Sequence, residues 1–502
     1  MTIKEKQRKK IQGKDTSNLK KPEPCLLILF GASGDLSKRK IIPAVYNLIV
    51  EGILPKNFCI LGISRRISNN LTFHEIFFDS IVKYTPETWK IDVWSEIKER
   101  IFGFPSDIYK TETFEKLKQF ITHLDNQFHI NGHYFYYLAT APNNYFQIIH
   151  SLHNNNMLND TSKIVIEKPF GLDLISAKKL HQDLLNYFKS NQIFKIDHYL
   201  GKEPIQNIIV FRKNNPLFQL IWSNRYINRI EIIVAETVGV DKRADYFEQT
   251  GILKDMVQSH LLQILALLTM KLPEIINPET LKRNKINLLK SIRRYTEEKA
   301  LENSIRGQYG EGKLYTKRSG YHEVKAYRNE DGINLNSNIE TFVAIKAFID
   351  NENWENVPFY LVAGKRLKKR LTEIRIYIKS FNENEEITGN ATNMIKLRIQ
   401  PRPQISLRIS FLQPGILSTI SPTHLKVKGE RKEPKAYERL LLDAMLGDQS
   451  AFVSQEEIEE QWDIVEPFAK AWEKNPPKLI PNYDAGSFGP EEVNKFMPNF
   501  SF

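Results

Sequence analysis

A strand-like run, a glycine turn and a helical run follow one another near the start of the chain. Residues 25–30 read CLLILF, a continuous apolar run of strand length, and Gly31-Ala32-Ser33-Gly34-Asp35 comes directly after it. Apolar residues then recur at helical spacing, at Ile41, Ile42, Val45, Leu48 and Ile49. Glycine lets the backbone approach a phosphate closely, and a helix N-terminus offers free N–H groups to an anion. This order predicts the start of a dinucleotide-binding domain, although the G-x-x-G spacing alone also fits a turn without a ligand.

The remaining strand-like runs predict two different sheets. Runs at residues 58–63, 134–139 and 163–166 are separated by helical stretches, which predicts an α/β Rossmann domain with a doubly wound parallel sheet. Later runs come with few helices between them, at residues 229–234, 341–348, 373–378, 394–399 and 404–411. They predict an α+β domain with a large, mainly antiparallel sheet. We expect the first domain over residues 25–200 and the second over residues 201–502, with its clearest helix at residues 250–270.

The positive charge is concentrated at the N-terminus. The chain of 502 residues has a formal net charge of +12, and residues 1–21 hold eight Lys or Arg against Glu5 and Asp15, a net +6. Because this segment lacks apolar periodicity, we predict that residues 1–24 form a disordered basic arm, with weak polyanion contact as an alternative role. The remaining charge fits an enzyme with phosphorylated ligands and predicts no specific nucleic-acid partner.

The cysteines and the hydropathy of the chain indicate the cellular compartment. The two cysteines, Cys25 and Cys59, each fall in a strand-like run, which suits buried thiols in a reducing compartment. The longest nearly apolar stretch, residues 261–270, is about half of what a membrane-spanning helix needs, and no apolar segment follows the basic N-terminus. We therefore expect a cytoplasmic protein without a membrane segment. No Cys/His cluster predicts a metal site.

The residues after the second strand-like run bear on cofactor choice. NAD-binding domains typically place Asp or Glu here for the ribose hydroxyls, whereas this chain has Ser64-Arg65-Arg66. Guanidinium groups favour a 2′-phosphate, so we predict NADP, with Arg65 among its contacts. The alternative is that one of these arginines simply faces solvent.

Three further stretches combine acids, bases and lysines where strands give way to turns. They are Glu167-Lys168-Pro169-Phe170-Gly171, residues 195–203 (KIDHYLGKE) and residues 250–260 (TGILKDMVQSH). Together with residues 31–40, residues 357–366 (VPFYLVAGKR) and residues 483–490 (YDAGSFGP), they closely resemble the glucose-6-phosphate dehydrogenase family in its bacterial form. The resemblance runs in order from about residue 25 to residue 490. Residues 195–203 are highly specific, whereas the glycine turn alone is not.

The resemblance implies an activity and a cofactor site. The activity is NADP-dependent oxidation of glucose 6-phosphate to 6-phosphogluconolactone, the first step of the oxidative pentose phosphate pathway, in a homodimer or homotetramer. The implied cofactor contacts are Gly31, Ala32, Ser33, Gly34, Asp35, Leu36, Arg65, Ala139 and Lys168. Lys168 is implied to lie between cofactor and sugar, next to a typically cis proline at Pro169.

The resemblance also implies a set of substrate contacts. His198, Tyr199 and Lys202 are implied to bind the sugar phosphate, and a helix starting at His198 would put His198 and Lys202 on one face. Glu236 and Asp255 are implied to accept hydrogen bonds from sugar hydroxyls. Lys365 and Arg370 are implied to form a second basic pair, although residues 365–370 also fit a solvated helix face.

His260 is implied to be the general base. On an α-helix, Asp255 and His260 would lie about 140° apart, so they would not readily hydrogen-bond each other. By resemblance the orienting acid is Asp197, whose carboxylate would fix the imidazole tautomer and stabilise the imidazolium.

Some positions depart from the family pattern, and two rival functions stay open. Ala244-Asp245 replaces glycines, Ser259 replaces Asn, Val362-Ala363 replaces Arg-Thr, and Lys195 replaces Arg. None of these changes removes a reacting group. The rivals are a related NADP oxidoreductase acting on an unphosphorylated sugar or polyol, and a catalytically silent binding homologue.

Overall fold

The computed structural model describes residues 21–316, 320–380, 393–412, 420–428, 436–477, 479–497 and 500. The basic arm predicted for residues 1–24 therefore lies almost entirely outside the described residues. The chain divides into two compact units. The first contains the described residues up to Lys168, His181–Gly201 and the described part of Pro434–Val453; the second contains Pro169–Leu180, Lys202–Glu433 and Ser454–Phe502. The chain thus enters each unit more than once.

The first unit is built on a parallel sheet. Its strands, within the described residues, are β1 (Leu26–Phe30), β2 (Cys59–Ser64), β3 (Ile101–Pro105), β4 (Tyr134–Leu138), β5 (Lys163–Glu167) and β6 (Ile193–Ile196). They lie in the order β3-β2-β1-β4-β5-β6, and neighbouring strands are parallel throughout. This is the doubly wound Rossmann order, with its switch point between β1 and β4. The predicted α/β Rossmann domain is confirmed.

The second unit is built on a mixed sheet. Its strands, again within the described residues, are β7 (Ile227–Ala235), β8 (Ser304–Gly307), β9 (Tyr309–Thr316), β10 (Gly320–Val324), β11 (Phe342–Ala347), β12 (Phe359–Gly364), β13 (Leu371–Ile378), β14 (Met394–Gln400), β15 (Gln404–Leu412), β16 (Ile420–Lys428) and β17 (Tyr483–Ala485). The large sheet has the order β16-β15-β14-β13-β7-β12-β11-β8, while β10-β9-β17 form a small one. Only the β7–β12 pair of the large sheet is parallel among these described strands. The predicted α+β domain with a mainly antiparallel sheet is confirmed.

Helices connect and cover the strands of both units. In chain order the α-helices of the described residues are α1 (Ile42–Val50), α2 (Asn70–Tyr84), α3 (Ile91–Ile97), α4 (Thr111–Phe128), α5 (Tyr145–Asn154), α6 (Leu174–Leu185), α7 (Glu203–Asn214), α8 (Pro216–Ile221), α9 (Ala244–Ile252), α10 (Leu262–Thr269), α11 (Pro278–Ser291), α12 (Glu297–Glu302), α13 (Ala436–Leu446), α14 (Gln455–Lys474) and α15 (Val493–Phe496). Among the described residues, no helix is both long and apolar enough to cross a membrane.

The core of the first unit includes a helix from far along the chain. Leu27, Leu29 and Tyr137 of the sheet belong to one buried apolar cluster that also contains Leu440 and Leu441 of α13. Both leucines are at most 1% exposed. The C-terminal segment therefore completes the apolar core of the dinucleotide-binding unit.

The helix expected over residues 250–270 departs from that prediction. Gly251, at φ +58° and ψ −175°, breaks the helical path, and a π-helix follows over Leu253–Leu261 before α10 begins. The N–H of Leu262 donates to Val257 O, five residues back. Because a π-helix closes its turns from residue i to residue i+5, residues five apart lie on the same side. The 140° separation expected between Asp255 and His260 is therefore wrong.

Candidate active site

The turn after β1 meets the end of β4. Gly31 has a φ of +81°, and the N–H groups of Gly31 and Ala32 donate to Ile63 O at 2.9 and 3.2 Å. A Cβ atom at Gly31 would lie 2.4 Å from Ala139 O, so only glycine fits here. Ala139 N–H donates to Phe30 O at 3.0 Å and ties the two strand ends together. This turn is a cradle at the switch point, where doubly wound sheets bind dinucleotides.

The other predicted cofactor residues surround this cradle. Ser33 and Ser64 share a hydrogen bond of 2.6 Å between their hydroxyls, which joins the glycine turn to the end of β2. Arg65 follows β2 directly and is exposed. Asp35 and Leu36 begin the helical segment after the turn, where exposed Asp35 lies 3.4 Å from Arg39. The structure thus brings Gly31 to Leu36, Arg65 and Ala139 to one edge of the sheet.

Asp197 follows β6 at the same edge and is held in a turn. Its carboxylate Oδ1 accepts the Tyr199 N–H at 2.8 Å, its carbonyl accepts the Leu200 N–H at 3.0 Å, and it is 1% exposed. This is an Asx turn, which Asp forms readily. The His198 and Tyr199 rings lie 5.0 Å apart. The condition for putting His198 and Lys202 on one helix face is not met, because α7 begins at Glu203, with Lys202 at its N-cap.

Lys168 follows β5 and is partly buried. It therefore lies at the carboxyl edge of the parallel sheet, like Ala139 and Asp197. The expected cis bond before Pro169 is wrong, since the cis bonds of the described residues precede Pro401 and Pro481.

The π-helix of the second unit carries Asp255 and His260. His260 is 2% exposed and Asp255 is 6% exposed, so both side chains are buried. Tyr246 of α9 donates its hydroxyl to Asp255 Oδ1 at 3.1 Å, and Arg243 lies 4.6 Å over the Tyr246 ring. Burial, with the neighbouring Asp255 charge, holds the pKa of Tyr246 above its ordinary value. The sequence did not single out Tyr246, because nothing in its spacing links it to Asp255.

Glu340 fixes the start of this helix. Its carbonyl accepts the Ile252 N–H at 3.1 Å, and its carboxylate accepts the Leu253 N–H at 3.0 Å. A Cβ at Gly251 would lie 2.2 Å from the same carboxylate. Burial raises the pKa of Glu340, while the Leu253 N–H opposes that rise. Glu340 was also missed, since it lies 87 residues from its hydrogen-bond partner Leu253 in sequence.

Glu236 and Lys365 lie side by side at the ends of two parallel strands. Ala235 of β7 is paired with Gly364 of β12, so the next residue of each strand projects from the same edge. Lys365 Nζ donates to Glu236 Oε2 at 2.8 Å and lies 5.2 Å from the centre of the Phe247 ring. Lys365 is buried, whereas the Glu236 side chain is 32% exposed, so the carboxylate of this ion pair is open to water.

Arg370 directly precedes β13, whose first residue, Leu371, is paired with Ala235 of β7, so its backbone lies at the same edge as Glu236. It is exposed in the connection between β12 and β13, together with Lys368 and Lys369. The alternative, a solvated helix face over residues 365–370, is wrong, because this connection between β12 and β13 is not helical. Of the departing positions, Val362 and Ala363 are buried in β12 and Lys195 is buried in β6.

The sheet order and the cradle at its switch point define a class of protein: an enzyme with a nicotinamide dinucleotide-binding domain. Residues 28–207 match the family described as glucose-6-phosphate dehydrogenase, NAD binding domain, and residues 209–501 match its C-terminal domain. The chain belongs to the glucose-6-phosphate dehydrogenase family. It is an oxidoreductase of glucose metabolism, in the pentose phosphate pathway.

Individual relatives agree over nearly the whole chain. The glucose-6-phosphate 1-dehydrogenase of Chlamydia muridarum (strain MoPn / Nigg) is 38% identical over 94% of this chain and 95% of its own length. That of Bacillus subtilis (strain 168) is 35% identical over 94% and 96%. A solved glucose-6-phosphate dehydrogenase in complex with its substrate glucose-6-phosphate superposes with a TM-score of 0.83 at 29% identity, over 96% and 99% of the chains.

Proposed function

We propose that this chain oxidises glucose 6-phosphate to 6-phosphogluconolactone with NADP, and that His260 removes the proton of the C1 hydroxyl. The observation that carries the proposal is the π-helix, which sets His260 on the same side as Asp255, a carboxylate suited to a sugar hydroxyl. Imidazole has an ordinary pKa near neutral pH, which suits a base for a hydroxyl proton.

Asp197 is proposed as the acid that orients His260. Its side chain is 1% exposed and fixed through Oδ1 by the Tyr199 N–H, so it is a preorganised hydrogen-bond acceptor. A carboxylate against an imidazole N–H selects one tautomer and stabilises the imidazolium that forms when the proton arrives. Asp255 and Glu236 are proposed to accept hydrogen bonds from other sugar hydroxyls.

The cradle at Gly31 fits a dinucleotide, because the absence of a side chain leaves room that a Cβ would fill. When bound, the oxidised nicotinamide ring supplies the hydride acceptor for C1. The residues proposed to hold the cofactor are Gly31, Ala32, Ser33, Gly34, Asp35, Leu36, Arg65, Ala139 and Lys168. Exposed Arg65, directly after β2 where NAD enzymes place an acid, supports NADP over NAD.

His198, Tyr199 and Lys202 are proposed to bind the sugar phosphate. Lys168, between cofactor and sugar, and the basic pair Lys365 and Arg370 are proposed as further substrate contacts. In the structure the Lys365 ammonium donates to the Glu236 carboxylate, which supports a shared substrate site for these two residues. No specific nucleic-acid partner is expected.

Steady-state kinetics with glucose 6-phosphate and free glucose, and with NADP and NAD, tests this proposal. We expect kcat/KM to be at least about a hundredfold higher for the phosphorylated sugar, since its charged contacts are lost with glucose. Arg65→Ala is expected to lower the NADP preference about tenfold or more, whereas the matched Arg66→Ala change is not. Equal efficiency on both sugars would contradict the phosphate contacts, and a preference for NAD would contradict the role of Arg65.

We also propose self-association into a dimer or tetramer, in the cytoplasm. The outer strands β15 and β16 expose apolar side chains, with Phe411, Leu412, Leu425 and Val427 all at least 55% exposed. Apolar surface of this kind is typical of an interface. Sedimentation equilibrium is expected to give a multiple of the 58.6 kDa chain mass, and a monomer at micromolar concentration would contradict the proposal.

A further inference from the structure

Glu167, the last residue of β5, contacts side chains from three other elements. Tyr137 of β4 donates its hydroxyl to Glu167 Oε1 at 2.5 Å. The Tyr145 hydroxyl of α5 donates to Glu167 O at 3.2 Å and accepts the Glu167 N–H at 3.3 Å. Tyr437 of α13 forms a further hydrogen bond to the carboxyl group. The reaction proposed above makes no use of this carboxyl.

Strand β5 holds α13 at both of its ends. Glu167 meets Tyr437 in the first turn of α13, and Lys163, at the other end of β5, donates to Met445 O in its last turn at 2.6 Å. A carboxylate near a helix N-terminus and an ammonium near its C-terminus both match the helix dipole. Glu167 and Lys163 are therefore two anchors that place α13 along β5.

The turn that carries Asp197 touches the same C-terminal segment. A Cβ at Gly201 would lie 2.7 Å from Ala436 O, so this end of the turn packs closely on the start of α13. Before Asp197, the carbonyl of Lys195 accepts the Val453 N–H at 3.2 Å. The backbone on both sides of Asp197 thus rests on the segment that Glu167 anchors.

We infer that Glu167 is a positioning residue that, through Tyr137 and Tyr437, fixes the strand ends carrying Lys168 and Asp197 and places a second carboxyl group beside them. This inference rests on the proposed function in assigning Lys168 and Asp197 to the ligands. Glu167 itself contacts tyrosines and backbone, and it acts through its neighbours.

The charges around Glu167 make this position sensitive to pH. Burial raises its pKa to about 7, hydrogen bonds from Tyr137 and Tyr437 lower it, the Asp197 charge raises it, and Lys168 lowers it. The ordinary pKa of 4.5 applies to the unfolded chain, which therefore binds fewer protons between pH 4.5 and 7. The stability contributed by Glu167 consequently falls as the pH rises through this window. Above pH 7, the ionised Glu167 carboxylate places a negative charge beside Lys168.

Infrared difference spectroscopy tests the carboxyl directly. The protonated C=O band that Glu167→Gln removes is expected to titrate near pH 7 in the unsubstituted protein. Tyr437→Phe removes a donor to the carboxylate and is expected to raise this midpoint. The control is Tyr136→Phe, because Tyr136 of β4 is also buried but donates to Met157 O, and the midpoint is expected to stay unchanged. A midpoint near 4.5, or an equal effect of both tyrosine changes, would overturn the inference.

The pH dependence of NADP binding separates positioning from mere structural support. Ionised Glu167 weakens the attraction of Lys168 for an anion, so NADP affinity is expected to fall as the pH rises through 7, and less so in Glu167→Gln. At pH 8 the variant is expected to bind NADP about threefold tighter than the unsubstituted chain, with no difference at pH 5.5. Parallel pH profiles would overturn the inference. Fluorescence titration measures NADP binding without turnover. A chain that binds NADP as expected but does not oxidise glucose 6-phosphate would therefore contradict only the proposed function.

Discussion

At the scale of single residues, two glycines are required for different reasons. Gly31 has a positive φ and leaves no room for a Cβ against Ala139 O, so its backbone lies where a pyrophosphate is proposed to bind. Gly251 has φ +58° and ψ −175°, a conformation that is essentially confined to glycine, and it faces the Glu340 carboxylate. The first glycine shapes a ligand cradle, whereas the second starts the helix that carries Asp255 and His260.

Gly31→Ala is expected to weaken NADP binding at least about tenfold, because the added methyl displaces the turn from Ala139. Fluorescence titration with NADP measures this. Gly52→Ala is the control, since Gly52 also has a positive φ of +67° in the first unit but open space around a Cβ. Equal NADP affinity of the two variants would contradict the proposal that this glycine turn binds the cofactor.

At the scale of elements, the sequence predicted the strands better than the helix that carries His260. Strands β1, β2, β4 and β5 were found within one or two residues, because continuous apolar runs are strong signals. β3 and β6 were missed: β3 contains Gly103 and Pro105, and β6 has only four residues. The π-helix could not be predicted, because the spacing of Asp255 and His260 was interpreted with the 3.6 residues per turn of an α-helix.

Gly251→Ala is expected to lower the free energy of unfolding by about 3 kcal/mol and to lower kcat, since strain and the clash with Glu340 shift the helix start. Denaturant unfolding and steady-state kinetics measure the two effects. The matched control in the second unit is Gly320→Ala, at φ +70° with nothing within 4 Å, which is expected to cost about 1 kcal/mol and leave kcat unchanged. Equal losses in both variants would mean that Glu340 does not determine the helix start.

At the scale of the whole molecule, the sequence predicted two fold classes correctly but not the long-range contacts. Family motifs pointed to Asp197, Lys168 and His260, yet Glu340 and Tyr437 lie far along the chain from the residues they contact, and Tyr246, close to the 250–260 motif, is not part of it. Nothing in local composition shows that α13 packs into the first unit. Such contacts depend on the folded path of the chain, which spacing rules do not describe.

Leu440→Ala tests whether α13 completes the core of the first unit. Leu440 is fully buried there, so its truncation is expected to cost about 2–5 kcal/mol of unfolding free energy. Leu71→Ala is the control, because Leu71 is 69% exposed on α2 of the same unit and is expected to cost about 0.5 kcal/mol or less. Urea unfolding measures both, and similar losses would show that α13 adds little to the core.

The most direct test of the proposed function is the turnover and sugar binding of His260→Asn. Removing the base raises the barrier without weakening the ground state, so kcat is expected to fall at least about a hundredfold while the dissociation constant for glucose 6-phosphate changes little. His123→Asn, an exposed change on α4, is expected to leave both unchanged. Near-normal kcat in His260→Asn would contradict the assignment of the base.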